Sequence, residues 1–412
     1  MARPNADSAP LPRSLRLVWE WSLALSALAL LTTWAKIHAG SLEGLWNPLV
    51  DPAFCDLMEF PPVFRSLHTA QFFAWVGHSR FSYPPLGAVL YAVLYGSGHP
   101  VALYLGTAAA WLTTCLWAVR RKLLAMKIGR ITATFFPLTL VLVSFPIMGM
   151  LHQGNIELAL WIFTALGAWA YLQGSDDTAA LLWGLAAAVK LYPIILLILL
   201  LPRRRWRALA LGIATFVASS LLSLYWIGPT IGVAYRGLRE SIFGYQGGRI
   251  LQWTMHEILP NHSVFSFAKL AMMTSGLPVA KLMRPYYLAG MGIMGLAFFA
   301  RLWKMPALNQ LLAITVFMLA FPPISYYYTL VNLYAPFLAL LFLALRAEQT
   351  AVKISGLQTT LLLFVPLFAP FTLFTFPRVF LFGGLIHAVL LVALFLCALQ
   401  YPFAEPTKDS AV

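Results

Sequence analysis

Long apolar runs with no polar face are the feature that most constrains this chain. LALSALALLTTWA (23–35), LLLFVPLFAPFTLFTF (361–376) and GGLIHAVLLVALFLCALQY (383–401) are hydrophobic on every side. A helix of that kind must lie in lipid or inside a bundle, because any face turned to water would be apolar. Strict apolar/polar alternation is absent, which argues against a β-barrel. Of the 412 residues 60% are hydrophobic and only 10% charged, whereas a soluble domain carries about a quarter charged. The expectation is an all-α polytopic membrane protein, a single membrane-embedded domain over 1–412.

The net charge of +14 does not point to nucleic acid. The basic residues fall in short clusters between apolar runs, where they orient spans by the positive-inside rule. RRKLLAMKIGR (120–130) and PRRRWR (202–207) are the strongest clusters, and both are expected inside. Cys55, Cys115 and Cys397 have no metal-ligand spacing. The run 15–37 reads as a retained first span. Further apolar segments are 84–96, 100–119, 131–149, 157–172, 178–189, 193–201 and 208–227. Those after the ambiguous 266–285 are 286–303, 306–322, 330–346, 354–375 and 379–400. They amount to about 12 spans, with both termini inside. Residues 38–83 and 228–265 form large external loops carrying short interfacial helices.

This topology, drawn from hydrophobicity and Lys/Arg alone, also places the chemically capable residues. Asp51, Asp56, Glu59, RFSYPP (80–85), HQGNIE (152–157) and KLYP (190–193) fall outside. So do GYQGGR (244–249), Asn261-His262-Ser263 and PPISYYY (322–328). Remote segments thus converge on one membrane face, where irregular backbone can line a cavity.

HQGNIELALWIFTALGAWAYLQG followed by LLWGLAAAVKLYPIILLILLLPRRRWRALA resembles glycosyltransferase family 87, of the GT-C superfamily. FSYPP after an early external acid, NHS in the second loop and PPIS before a late span extend the likeness over about 45–345. The resemblance implies a GT-C-like bundle and a sugar carried on a polyprenyl phosphate. The sugar, a hexose with mannose foremost, would pass to a hydroxyl of a lipid- or glycan-linked acceptor on the outer face. It also implies an aspartate base in the first external loop, inversion at the anomeric carbon, and no nucleotide-sugar site. No cofactor or metal is expected. The expected partners are the donor lipid, the acceptor and membrane lipids, with no nucleic acid. The expected location is the inner (plasma) membrane, multi-pass, the site facing the periplasm or exterior.

The residues carry this reading individually. Asp56 in VDPAFCDLMEF is the candidate base: a carboxylate at partial membrane depth is costly unless used, and it can accept a proton from an attacking hydroxyl. Asp51, before a proline, suits a helix cap; Glu59 is read as a bystander. Lys190 interrupts AAAVKLYP and needs a partner. Phosphate is one, as for a compact point charge; the alternative is a lysine snorkelling to the interface. Tyr192 and Pro193 shape the turn. His152, Gln153 and Asn155 could bond sugar or phosphate, helped by the amides opening the helix at 157, or Asn155 could simply cap that helix. Arg249 could take phosphate bidentately or be a surface charge. Asn261 and His262 are read as donor contacts from the second loop. Tyr326, Tyr327 and Tyr328 stand where related enzymes often have Trp and His; Tyr327 and Tyr328 could stack on sugar, or form an interface belt. A transporter or lipid flippase is the competing class. Another GT-C branch, such as an arabinofuranosyltransferase, is a second alternative.

Overall fold

The computed structural model describes residues 11–38, 55–70, 72, 83–245, 258, 261–275, 278–369 and 382–404. Among them the secondary structure is helical, apart from one isolated antiparallel bridge between Asn261 and Tyr326. The helices are α1 (Arg13–His38), α2 (Cys55–Glu59), α3 (Pro61–Phe64), α4 (Pro85–Gly96), α5 (Pro100–Ala125) and α6 (Arg130–Leu142). There follow α7 (Phe145–Gln153), α8 (Glu157–Leu172), α9 (Asp176–Val189), α10 (Trp206–Ile227) and α11 (Ile231–Tyr245). The last six are α12 (Phe265–Ser275), α13 (Ala280–Ala300), α14 (Ala307–Ala320), α15 (Tyr334–Gln349), α16 (Leu357–Phe368) and α17 (Phe382–Gln400). Tyr192–Leu200 and Tyr327–Leu333 are 3₁₀ helices.

Helices stand where the apolar segments predict them, but the count of about twelve spans is not met. Among the described residues five helices are long and apolar enough to cross a membrane, or six if the pair α6 and α7, bent by 53°, is one span. The difference is one of length. α4 and α16 have 12 residues and α8 has 16, about 18–24 Å at 1.5 Å per residue, against a hydrocarbon core of about 30 Å.

Local signals set those lengths. The Ser144 hydroxyl accepts from Ile147 N–H at 3.2 Å, with Pro146 in the first turn, so α7 starts afresh instead of continuing α6. α7 stops at Gly154, whose left-handed φ of 61° suits glycine. α9 stops where Lys190 turns extended, and Pro193 follows. Of the two segments expected to be external loops, the first carries α2 and α3 and the second carries α11.

The apolar core runs through one cluster containing residues from Leu15 to Phe403. α9 sits near its middle, packed on α8 and α10. A Cβ added at Gly184 would lie 2.4 Å from the Gly212 carbonyl, so these two glycines let the backbones of α9 and α10 touch. Gly184→Val should therefore force the helices apart at a cost of about 1–3 kcal/mol; thermal unfolding in detergent should show a lower midpoint than wild type.

Polar contacts at one end of the bundle join segments that the sequence places inside. Asp176 pairs with Arg203 at 2.6 Å and Arg205 at 3.0 Å. Gln349 Nε2 donates to the Met126 carbonyl at 2.6 Å, and Ser14 N–H donates to Glu348 at 2.8 Å. The segments expected outside meet in a second group of contacts.

Candidate active site

The second group is centred on Asp56. α2 presents it in its first turn, half-buried under α4. Its Oδ2 accepts from Tyr83 OH at 2.9 Å, Tyr91 OH at 3.1 Å and Asn155 Nδ2 at 2.5 Å. Among the described residues none donates to Oδ1. Burial outweighs these donors and the nearby lysine, and it raises the carboxyl pKa above the ordinary aspartate value. α2 is held from above: Tyr95 OH donates to the carbonyls of Asp56 (3.3 Å) and Leu57 (3.1 Å).

Asn155 links this carboxylate to the rest. It follows Gly154, the left-handed stop of α7, which turns the chain so that its side chain faces α2. Its Nδ2 also donates to Tyr83 OH at 2.9 Å. Its Oδ1 accepts from the Glu157 backbone N–H and from Lys190 Nζ, both at 2.9 Å. The cap and the site role are thus one side chain. The amides opening α8 do not wait for a foreign anion: Asn155 caps one, and the Glu157 carboxylate occupies the same turn.

Lys190 has a protein partner. Its ammonium lies 2.8 Å from Glu157 Oε2 and 5.3 and 5.1 Å from the ring centres of Tyr83 and Tyr328. Snorkelling is not its state, since the residue is 8% exposed. Glu157, fully buried, also accepts from Tyr192 OH at 2.5 Å and Asn332 Nδ2 at 2.7 Å. Asn332 Oδ1 accepts in turn from Thr164 OH at 2.6 Å.

Asn261 and His262, expected as donor contacts, are engaged here with the protein itself. Both are fully buried. Asn261 Oδ1 accepts from the Ser263 and Ser325 amides at 3.0 and 2.9 Å, and Nδ2 donates to the Pro323 carbonyl at 3.0 Å. His262 Nε2 lies 2.9 Å from Ser325 Oγ; burial, with His387 nearby, pushes its pKa well below the usual imidazole value. Together they clamp the 322–326 segment, from which Tyr327–Leu333 runs to Lys190 and Glu157. Asn261→Ala takes the partner from three buried backbone groups, the Ser263 and Ser325 amides and the Pro323 carbonyl, at about 1–3 kcal/mol each. Its thermal midpoint and its turnover should both drop, whereas a surface change such as Arg207→Ala should leave both near wild type.

Tyr327 and Tyr328 divide. Tyr327 is buried with its ring against Gly149, where a Cβ would lie 2.1 Å from it, and its hydroxyl accepts from Gln153 Nε2 at 3.2 Å. Its ring is thus packed against α7. Tyr328 and Tyr326 are half-buried and share the rim with Asp56, Tyr83, Gln153 and Tyr192. His152 is buried beneath. Arg249, Asp51 and Phe81 lie outside the described residues, as does the side chain of Glu59. Sequence reasoning missed Tyr91, Asn332 and above all Glu157 as members of the site. Among the described residues no three His, Cys, Asp or Glu side chains form a group able to hold a metal ion.

A helical bundle with several helices apolar enough to cross a membrane, and with a carboxylate, an amide and an ion pair joined in one polar cluster, is that of a membrane protein. The model of glycosyltransferase family 87 matches residues 81–322, more than half of the chain, and the chain belongs to that family. It is a glycosyltransferase. No curated protein and no solved structure matches it significantly. The matched region contains Tyr83, Asn155, Glu157, Lys190 and Asn261; Asp56 lies before it and is tied to it through Asn155 and Tyr83.

Proposed function

We propose that this glycosyltransferase moves a hexose, mannose foremost, from a polyprenyl-phosphate donor to a hydroxyl of a lipid- or glycan-linked acceptor, with inversion. The observation that carries the reading is the half-buried Asp56 carboxylate, bonded among the described residues through Oδ2 and raised in basicity by burial. Asp56 takes the proton of the acceptor hydroxyl. The acceptor oxygen attacks the anomeric carbon on the face opposite the phosphate, the carbon–phosphate oxygen bond breaks, and polyprenyl phosphate leaves. Lys190, sharing its charge with Glu157, and Arg249 are assigned to that phosphate. Tyr192, Tyr328 and Gln153 on the rim are assigned to donor contacts.

Membrane helices flanking the site support a donor that arrives through lipid. The proposed setting is the inner (plasma) membrane, with the site on the periplasmic or exterior face, opposite the Arg203–Asp176 end. Incubation of membranes with radiolabelled polyprenyl-phospho-mannose, -glucose and -arabinose, followed by lipid extraction, tests the reading. A labelled product from the mannose donor is expected. Transfer from the arabinose donor alone would favour the arabinofuranosyl branch instead, and label crossing the membrane unreacted would favour a flippase.

A further inference from the structure

Glu157 is a fully buried acid beside the site that the proposed reaction does not use. Glu157 opens α8, Lys190 closes α9, and because the two helices are antiparallel neighbours their charges meet. Buried charges are expensive unless paired and fully bonded. Here the pairing is selective. Lys190 makes its ion pair with Glu157 at 2.8 Å, and no ion pair joins it to Asp56. Its hydrogen-bonded link to Asp56 runs through Asn155, which accepts from Lys190 on Oδ1 and donates to Asp56 on Nδ2, while its charge acts on Asp56 across a gap. Three donors hold the Glu157 carboxylate in place: Lys190, Tyr192 and Asn332.

We infer that Glu157 is a positioning residue: it keeps the Lys190 ammonium away from Asp56, so that the Asp56 carboxylate retains the proton affinity a base needs while the lysine is aimed at the donor phosphate. The role of Lys190 toward phosphate rests on the function proposed above; the restraint of Lys190 by Glu157 does not. The titratable and charged groups facing Asp56 are Tyr83 just before α4, Tyr91 from α4, Tyr104 from α5, Lys190, Glu157 and Tyr328. Of these, only Lys190 is a cation. Glu157 offsets the pull of that charge on Asp56; without Glu157 the uncompensated charge acts more strongly on Asp56, the other carboxylate of the network, and makes it a weaker base.

The test is an infrared titration of the full chain in nanodiscs without substrate, following the carboxyl band that disappears in Asp56→Asn. In Glu157→Gln the Asp56 midpoint should move to lower pH by about one unit or more, the scale of one unbalanced neighbouring charge. In Glu157→Gln/Lys190→Met, which removes both charges, it should return to within about half a unit of wild type. Glu157→Asp, which keeps the charge but draws it back, should fall between Glu157→Gln and wild type; it decides the matter alone if Glu157→Gln does not fold. A purely structural Glu157 would leave the midpoint unmoved, or move it equally in Glu157→Gln and the double variant, and either result overturns the inference. Because no substrate is present, failure of every polyprenyl-phosphate donor to react would remove the functional reading and leave this result standing.

Discussion

Asp56→Asn should lower transfer by about 10²- to 10⁴-fold, the usual contribution of a positioned general base. The substitution is nearly isosteric, and the amide oxygen can still accept from Tyr83, Tyr91 and Asn155, which converge on one oxygen of the native carboxylate. Folding and donor affinity should therefore stay close to wild type, and the loss should fall on kcat. The wild-type pH profile carries the same signature. The base acts when deprotonated, and burial raises its pKa. Turnover should therefore fall as the pH drops through a midpoint above the ordinary aspartate range. Steady-state kinetics of the two proteins across pH decide this. More than a tenth of wild-type turnover in Asp56→Asn would remove Asp56 as the base.

Lys190→Met should be the most destabilising single change at the site. It leaves Glu157 as a buried carboxylate with only neutral donors, and breaking one side of a buried pair costs about 3–5 kcal/mol. Glu157→Gln/Lys190→Met removes both charges together, and such replacements are often close to neutral. The double variant should regain most of the thermal midpoint in detergent while transfer stays low, because the assigned phosphate contact is gone. A single variant as stable as wild type would mean that the 2.8 Å contact contributes nothing. A double variant with normal transfer would take Lys190 out of the donor site.

Much of this arrangement was legible in the sequence, and for physical reasons. Apolar runs and basic clusters place helices, so α1, α5, α10 and α17 stand where expected. Lys190 stood out because a charge inside AAAVKLYP must have a partner. Its partner was visible as well: Glu157 is an acid at the head of an apolar helix, and the helix-and-turn order returns Lys190 to the same end. That signal went unused because a loop acid beside HQGN reads as solvated, whereas Glu157 is buried under Tyr192 and Asn332. Asn332 in TLVNLYAP was a second unused signal, a lone amide in an apolar stretch.

Other features left no trace in composition. Tyr91 is one aromatic among several in α4, and only the fold turns its hydroxyl toward Asp56. Asn261 and His262 were recognised as special, but motif position does not separate a side chain that touches substrate from one that clamps a neighbouring segment. The count of about twelve spans is not confirmed among the described residues, because hydropathy registers that a segment is apolar, not that Ser144, Gly154 and Lys190 end a helix there.

The central claim is that a membrane-borne phosphate ester supplies the sugar and Asp56 activates its acceptor. Its most direct test is transfer by the purified chain in liposomes, offered labelled polyprenyl-phospho-mannose or the matching nucleotide sugar. The account predicts a product from the lipid donor alone, and none from Asp56→Asn. A product formed from the nucleotide sugar in the absence of the lipid donor would contradict it.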